Sequence, residues 1–218
     1  MRKSILTIAC VCAGFMFTGC GSDDGDDNAT PQNFIIDARN IENGSDYNSH
    51  IDSVKAIRNY HENNGAVLYN ILASAEYVDG GFMMTLPLLI LDDKWTPISN
   101  NVIPDGVNVS DPHVKTTSVD YLATFKNGQA TGKFEYICKT ADNHDICASY
   151  IYVDRDITIT GSSDKEEDNW TVINIFDNIV ELKKGWNEVY VTSIGGINST
   201  TFITSNVKPD RLKWIFKP

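Results

Sequence analysis

The chain has 218 residues, 42% hydrophobic, 10% aromatic and 22% charged, with 18 Lys+Arg against 29 Asp+Glu and a formal net charge of −11. That length can bury a real core, and the composition excludes a wholly disordered, collagen-like or polytopic membrane protein. The acidic balance argues against a nucleic-acid partner, because phosphate binding rests on Lys and Arg.

The N-terminus reads as an address. Arg2 and Lys3 give a positive start, and Ile5 to Phe17 give an apolar stretch of signal-peptide length, too short to span a bilayer. The stretch ends in Phe17-Thr18-Gly19-Cys20, which resembles the bacterial lipobox, with Phe17 where Leu is usual. The resemblance implies removal of residues 1–19, acylation of Cys20 and a membrane partner reached through the lipid. Each buried CH₂ of such an anchor contributes about 0.8 kcal/mol. Residues 20–32 contain Gly21-Ser22-Asp23-Asp24-Gly25-Asp26-Asp27-Asn28, which has nothing apolar to bury and reads as a disordered acidic tether. It is no EF-hand-like loop, because no spaced ligand set ending in Glu follows. An acidic run directly after the lipidated Cys resembles the surface-export signal of Bacteroidetes lipoproteins, implying display on the outer face of the outer membrane.

From residue 33 onward the pattern is strand-like. Ser53–Glu62 is the one helix candidate; its Val54, Ile57 and Tyr60 also fit a kinked strand. Ala66–Tyr77 is rich in β-branched and aromatic residues, and Asp79-Gly80-Gly81 turns the chain into Phe82–Pro87, with Leu86–Leu91 as an apolar continuation. A loop over Ser99–Pro112 precedes the runs Val114–Phe125, Gly132–Lys139, Ile146–Thr160, Trp170–Lys183, Asn187–Ile194, Thr200–Ser205 and Leu212–Phe216. Asn127-Gly128, Lys184-Gly185 and Gly195-Gly196 separate several of them. Ile151, Val153, Ile157 and Ile159 alternate with Tyr150, Tyr152, Asp154 and Asp156, predicting one buried and one wet face. The expectation is an all-β, antiparallel β-sandwich, Ig-like or transthyretin-like, forming a single domain over residues 33–218. A subdivision near 92–111 is the alternative, although about four front strands make a small independent core.

Candidate chemistry is sparse. Once Cys10 and Cys12 leave with the leader and Cys20 is acylated, Cys138 and Cys147 remain, flanking a turn over Thr140–Asp145. A hairpin there would bring them close, so a disulfide is expected, with two reduced thiols as the alternative. His50, His61, His113 and His144 show no metal spacing, and GxSxG, P-loop and GxGxxG patterns are missing, so neither enzyme activity nor a cofactor is expected. Asp154 and Asp156, with Asp164, Glu166, Glu167 and Asp168 in what reads as the next loop, are candidate calcium ligands, or else a solvated acidic tip beside Arg155 and Lys165. Tyr136, Tyr150 and Tyr152, with Trp170, are a candidate stacking platform for sugar rings, cross-strand packing being the alternative. Gly80 or Gly81 suits a positive φ, Gly185 suits a turn before Trp186 at one sandwich end, and Trp214 falls on the apolar side of the last strand.

Leu72–Pro87, Tyr152–Gly161, Leu182–Tyr190 and Leu212–Phe216 together resemble a recurring pattern in Bacteroidetes surface lipoproteins, a family associated with no established activity. Gly80-Gly81-Phe82 with Leu86-Pro87 resembles the ending of carboxypeptidase-regulatory-like sandwiches, which implies the fold alone. Asp52-Ser53-Val54 resembles the short O-glycosylation motif of Bacteroidetes. The resulting expectation is a lipid-anchored surface protein with a binding role toward a glycan or protein ligand. The alternative is a structural accessory subunit of an outer-membrane assembly.

Overall fold

Turn chemistry punctuates the chain at two predicted places. Asp79 and Gly80 have φ of 52° and 82°, the two left-handed positions of a type I′ turn. Val78 and Gly81 close it with reciprocal backbone bonds of 2.9 and 3.1 Å. Asn127 and Gly128, at 50° and 78°, make the same turn further on.

The computed structural model describes residues 33–61, 67–88, 105–142, 144–167, 170–196 and 198–218. In chain order these form β1 (Phe34–Ala38), a 3-10 turn (Gly44–Tyr47), β2 (Ser53–His61), β3 (Val67–Glu76), β4 (Phe82–Leu86), β5 (Val107–Val109), β6 (Thr116–Val119) and β7 (Tyr121–Lys126). There follow β8 (Gln129–Lys139), β9 (Asp145–Val153), β10 (Ile157–Glu167), β11 (Trp170–Leu182), β12 (Gly185–Gly196), β13 (Ser199–Ser205) and β14 (Lys213–Lys217). The leader, the lipidation residue Cys20 and the tether lie outside the described residues, as does most of the stretch 92–111 where a subdivision was the alternative.

The fold is an all-β sandwich. Its large sheet runs β3-β2-β7-β8-β9-β12-β13-β11-β10-β5, with β14 on β8 and β6 on β9, and a two-stranded β1–β4 sheet stands apart. The ladders are antiparallel except β11–β13, which is parallel and departs from the purely antiparallel expectation. The helix candidate is strand β2, with a bulge between Ala56 and Ile57. The bulge lets both consecutive residues be buried, at 0% and 1% exposure, which is why the spacing mimics a helix. The long run 146–160 is two strands, broken where Asp154 and Asp156 turn the chain, and 114–125 breaks at Asp120. β1 and β5, at five and three residues, carry too little pattern to be read in advance.

Two cores result. In the first, Ile36, Met84 and Leu86 of the β1–β4 roof pack on Leu122, Phe134, Tyr150, Tyr152 and Trp186. The second holds Val114, Val153, Ile157, Val180, Leu182 and Val189. Strand β9 serves both, so it has no wet face, and the expected half-exposed alternation fails there. A tyrosine counts as polar in a binary pattern, yet its ring buries as an aromatic does.

Trp186 stands at the roof's end, its Nε1 donating to the Pro87 carbonyl at 2.8 Å and its ring edge-on to Tyr152 at 5.4 Å. Trp186→Phe keeps most of the ring contact and strands that carbonyl. The expected cost is about 1 kcal/mol in urea unfolding.

Candidate functional site

The predicted tyrosine face exists but is roofed. Tyr150 and Tyr152 share one face of β9 and are only 5% and 4% exposed. Phe34 of β1 lies edge-on over Tyr150 at 5.7 Å. These two tyrosines are therefore core residues and not a sugar platform. The side chain of Trp170 lies outside the described residues. Among the three tyrosines only Tyr136 emerges, where the roof ends.

There β14 pairs with β8 so that Trp214 faces Tyr136 and Phe216 faces Phe134. The Tyr136 and Trp214 rings stack in parallel, 4.6 Å apart at 16°, and Trp214 also meets Phe82 edge-on at 5.6 Å. Both rings are half-buried. They floor a cleft of about 380 Å³ rimmed by Asp37, Asn40, Glu42, Leu212 and Lys213. Glu42 accepts a hydrogen bond from Lys213 across the cleft rim at 2.5 Å, and the Lys213 ammonium holds its carboxyl below the usual range. Asp37 is clamped by the Arg39 guanidinium at 2.6 and 2.9 Å, which holds its pKa at about 2.

A second polar group adjoins the stack. Lys208 lies 5.3 Å from the Tyr136 ring centre and 3.6 Å from Glu188. Glu188 accepts a hydrogen bond from the Tyr190 hydroxyl at 2.7 Å. Burial first, and then the Glu188 carboxylate, push the Tyr150 and Tyr190 phenols far above their ordinary range. Neither phenol ionises near neutrality, so they act as fixed hydrogen-bond donors. The assembled cleft offers an apolar ring surface with carboxylates, an amide and ammonium groups around it. That combination is chemically complementary to a ligand presenting both a hydrophobic face and hydroxyl groups. Sequence reasoning assigned Trp214 to packing alone and did not single out Asp37, Asn40 or Glu42. The available signal was an aromatic flanked by Lys213 in the last strand. The rim residues carry none, because they reach the cleft only through the β1 fold-over.

The expected disulfide is not formed. Cys138 and Cys147 are free thiols. The register pairs Cys138 with Ile146 and Ile137 with Cys147, so the two cysteines sit one position apart and project from opposite faces. Burial raises the Cys147 pKa first, with Glu135 and Asp145 adding to it. Alkylation without reductant is expected to label both thiols, Cys147 more slowly than an unperturbed thiol at pH 8; a recovered Cys138–Cys147 linked peptide would contradict the register.

Among the described residues, Asp154, Asp156 and Asp164 do not converge either. Asp154 pairs with Arg155 at 3.0 Å and accepts the Lys115 amide at 2.9 Å. Asp156 accepts the Lys184 amide at 2.7 Å and pairs with Lys183 at 3.1 Å. Asp164 lies within β10, paired opposite Ile173, not in a loop. Eight residues of extended chain place it on the order of 25 Å from Asp156. The Glu166 and Glu167 side chains and Asp168 lie outside the described residues. Among the described residues no three His, Cys, Asp or Glu side chains are grouped for a metal ion. His50 and His113 are exposed and apart, and His144 serves the β8–β9 turn through backbone bonds with Thr140.

These carboxylates act as structural acceptors. Backbone amides lower Asp111 (from His113) and Asp156 (from Lys184) first, and ion pairs with Arg155 and Lys183 add to this. Their folded pKa values lie below the ordinary 3.8. The stability they contribute is complete above that value and is lost as pH falls through the folded pKa. The unfolding temperature is expected to stay level down to about pH 5 and to fall steeply toward about pH 2. A profile that rises on acidification would contradict these contacts.

Asp52 has a similar job, accepting the Asn127 amide at 2.7 Å and the Ser53 hydroxyl at 3.0 Å. Comparison of the chain with family models, curated proteins and solved structures finds no match.

Proposed function

We propose that this protein is a lipid-anchored outer-membrane protein, displayed at the cell surface, that binds a glycan through the Tyr136–Trp214 cleft without catalysing a reaction on it. The observation that carries the binding reading is the parallel stack of two half-buried aromatics on the floor of a cleft rimmed by Asp37, Asn40 and Glu42. Sugar rings present C–H faces to aromatics and hydroxyls to such a rim. The anchoring reading rests on the leader and the Cys20 context in the sequence.

A glycan array probed with the purified protein tests the ligand class. The expected result is selective binding that Tyr136→Ala abolishes. Binding to no glycan, or binding that Tyr136→Ala leaves intact, overturns the reading. Anchoring is tested separately: Cys20→Ser is expected to move the protein from the membrane to the soluble fraction.

A structural subunit role is the second reading, favoured by one feature. Strand β3 is ten residues long at an end of the sheet order, with Tyr69 and Ile71 exposed at 63% and 50%. Such an edge accepts a partner strand. Copurification of a partner protein without any sugar affinity would favour it.

A further inference from the structure

The outer face of the large sheet carries a row of lysines. Register sets Lys55 of β2 opposite Ala123 of β7, Ala123 opposite Lys133 of β8, and Lys133 opposite Lys217 of β14. One step along the same strands, Ala56, Leu122, Phe134 and Phe216 lie opposite one another in the same order and belong to the first core or pack against it. Side chains alternate across a strand, so the lysine row points the other way, toward solvent. The Lys133 and Lys217 side chains are 47% and 48% exposed. Ala123, between Lys55 and Lys133, is only 5% exposed. That burial follows where flanking lysine stems lie along the sheet and send their ammonium groups to water.

The row is a local concentration of positive charge in a chain of net charge −11. Glu135 pairs with Lys133 at 2.7 Å and also with Lys217, so those two ammonium groups share one carboxylate. The Lys55 ammonium lies over the Phe125 ring, 4.1 Å from its centre. Glu76, opposite Ser53 on β3, marks where the positive strip ends. Neighbouring strands are about 4.8 Å apart, so Lys55 and Lys133 stand about 10 Å from each other and the row spans about 14 Å. The result is a strip one lysine wide on a rigid sheet. It matches an extended polyanion that turns the carboxylate of every second unit to the same side. A bilayer calls for a broad face, and a protein partner for an apolar interface centre. Ile215, 41% exposed and two residues before Lys217 on the same face of β14, offers a contact for sugar C–H groups.

We propose that this lysine row binds an extended acidic polysaccharide of the uronate class, laid across β2, β7, β8 and β14 with its carboxylates on Lys55, Lys133 and Lys217. The row lies on the opposite face of the sheet from Tyr136 and Trp214, and neither proposal depends on the other.

The test is calorimetric titration of the purified full-length chain with an oligomannuronate, with a neutral dextran oligomer and phosphatidylglycerol vesicles as the comparison ligands. Saturable binding of the oligomannuronate is expected, at least about tenfold tighter than dextran and weakened at least about tenfold between about 50 and about 300 mM salt, because exposed charges are screened. Lys55→Gln is expected to weaken it at least about fivefold, and Lys133→Gln gives the same readout from β8 if Lys55→Gln does not fold. Lys184→Gln removes the same charge from the turn before β12 and is expected to change binding by less than about twofold. Tyr136→Ala is expected to leave oligomannuronate binding unchanged, which separates this site from the cleft. No saturable binding, equal binding of dextran, binding to the vesicles alone, undiminished binding by a folded row variant, an equal loss in Lys184→Gln, or loss in Tyr136→Ala would each overturn the proposal.

Discussion

Phe134→Ala is expected to remove about 3–5 kcal/mol of stability. The ring is 2% exposed and is the hub of the first core, with centroids of Tyr77 and Phe82 at 5.6 Å and Phe216 at 5.7 Å. Those neighbours come from the chain just after β3, from the β4 roof and from β14, so no single element can relax into the vacancy. Close packing makes the residual cavity add to the lost transfer free energy. Against a typical total of about 5–15 kcal/mol, the loss is a large share of the domain's stability. Urea unfolding measures it. Ile215, one residue before Phe216 on the same strand but 41% exposed, supplies the contrast. Ile215→Ala is expected to change stability by no more than about 0.5 kcal/mol. Similar losses at both positions would mean that β14 is not seated face-down as described.

The second large effect is at Gly44. A Cβ placed there would lie 1.9 Å from the Gly80 carbonyl oxygen, a backbone atom that cannot swing aside. The 3-10 turn and the Asp79-Gly80 turn are held in this contact by two hydrogen bonds. Tyr77 donates its hydroxyl to the Gly44 carbonyl at 2.8 Å, and the Gly80 amide donates to Asn48 Oδ1 at 3.1 Å. Burial holds the Tyr77 phenol protonated, its pKa pushed up to about 12, so this donor persists at neutral pH. Gly44→Ala forces the two turns apart and breaks both bonds, with an expected loss of about 3 kcal/mol or more. Gly195, whose added Cβ would meet no atom within 4 Å, is the control. Gly195→Ala is expected to be neutral or slightly stabilising, because it only removes freedom from the unfolded chain.

Turns and long strands were legible because their chemistry is local. Asn127-Gly128 and Asp79-Gly80 announce left-handed pairs, and the alternation of Leu212, Trp214 and Phe216 announces a strand with one buried face. What was not legible depends on three-dimensional neighbours. The bulge at Ala56 and Ile57 converts a strand into something that reads like a helix. Asp154 and Asp156 look like metal ligands in isolation, yet Arg155, Lys183 and two backbone amides already occupy them. Cys138 and Cys147 invite a disulfide until a one-residue offset places them on opposite faces. The tyrosine face was read correctly as a face, but its roof comes from β1 and β4, two short strands remote in sequence. The same roof creates the cleft: its edge leaves Tyr136 and Trp214 half-open while covering Tyr150 and Tyr152. Loop-borne rim groups such as Asn40 and Glu42 reach the site only because β1 folds back, a long-range event without a local pattern.

The cleft reading meets its most direct test in calorimetric titration of the strongest array ligand into wild-type protein and into Trp214→Ala. Removing one ring of the stack is expected to weaken binding at least tenfold, about 1.4 kcal/mol, while the variant's β-sheet circular dichroism matches wild type. Equal affinity in the two folded proteins would contradict a ligand seated on the Tyr136–Trp214 floor.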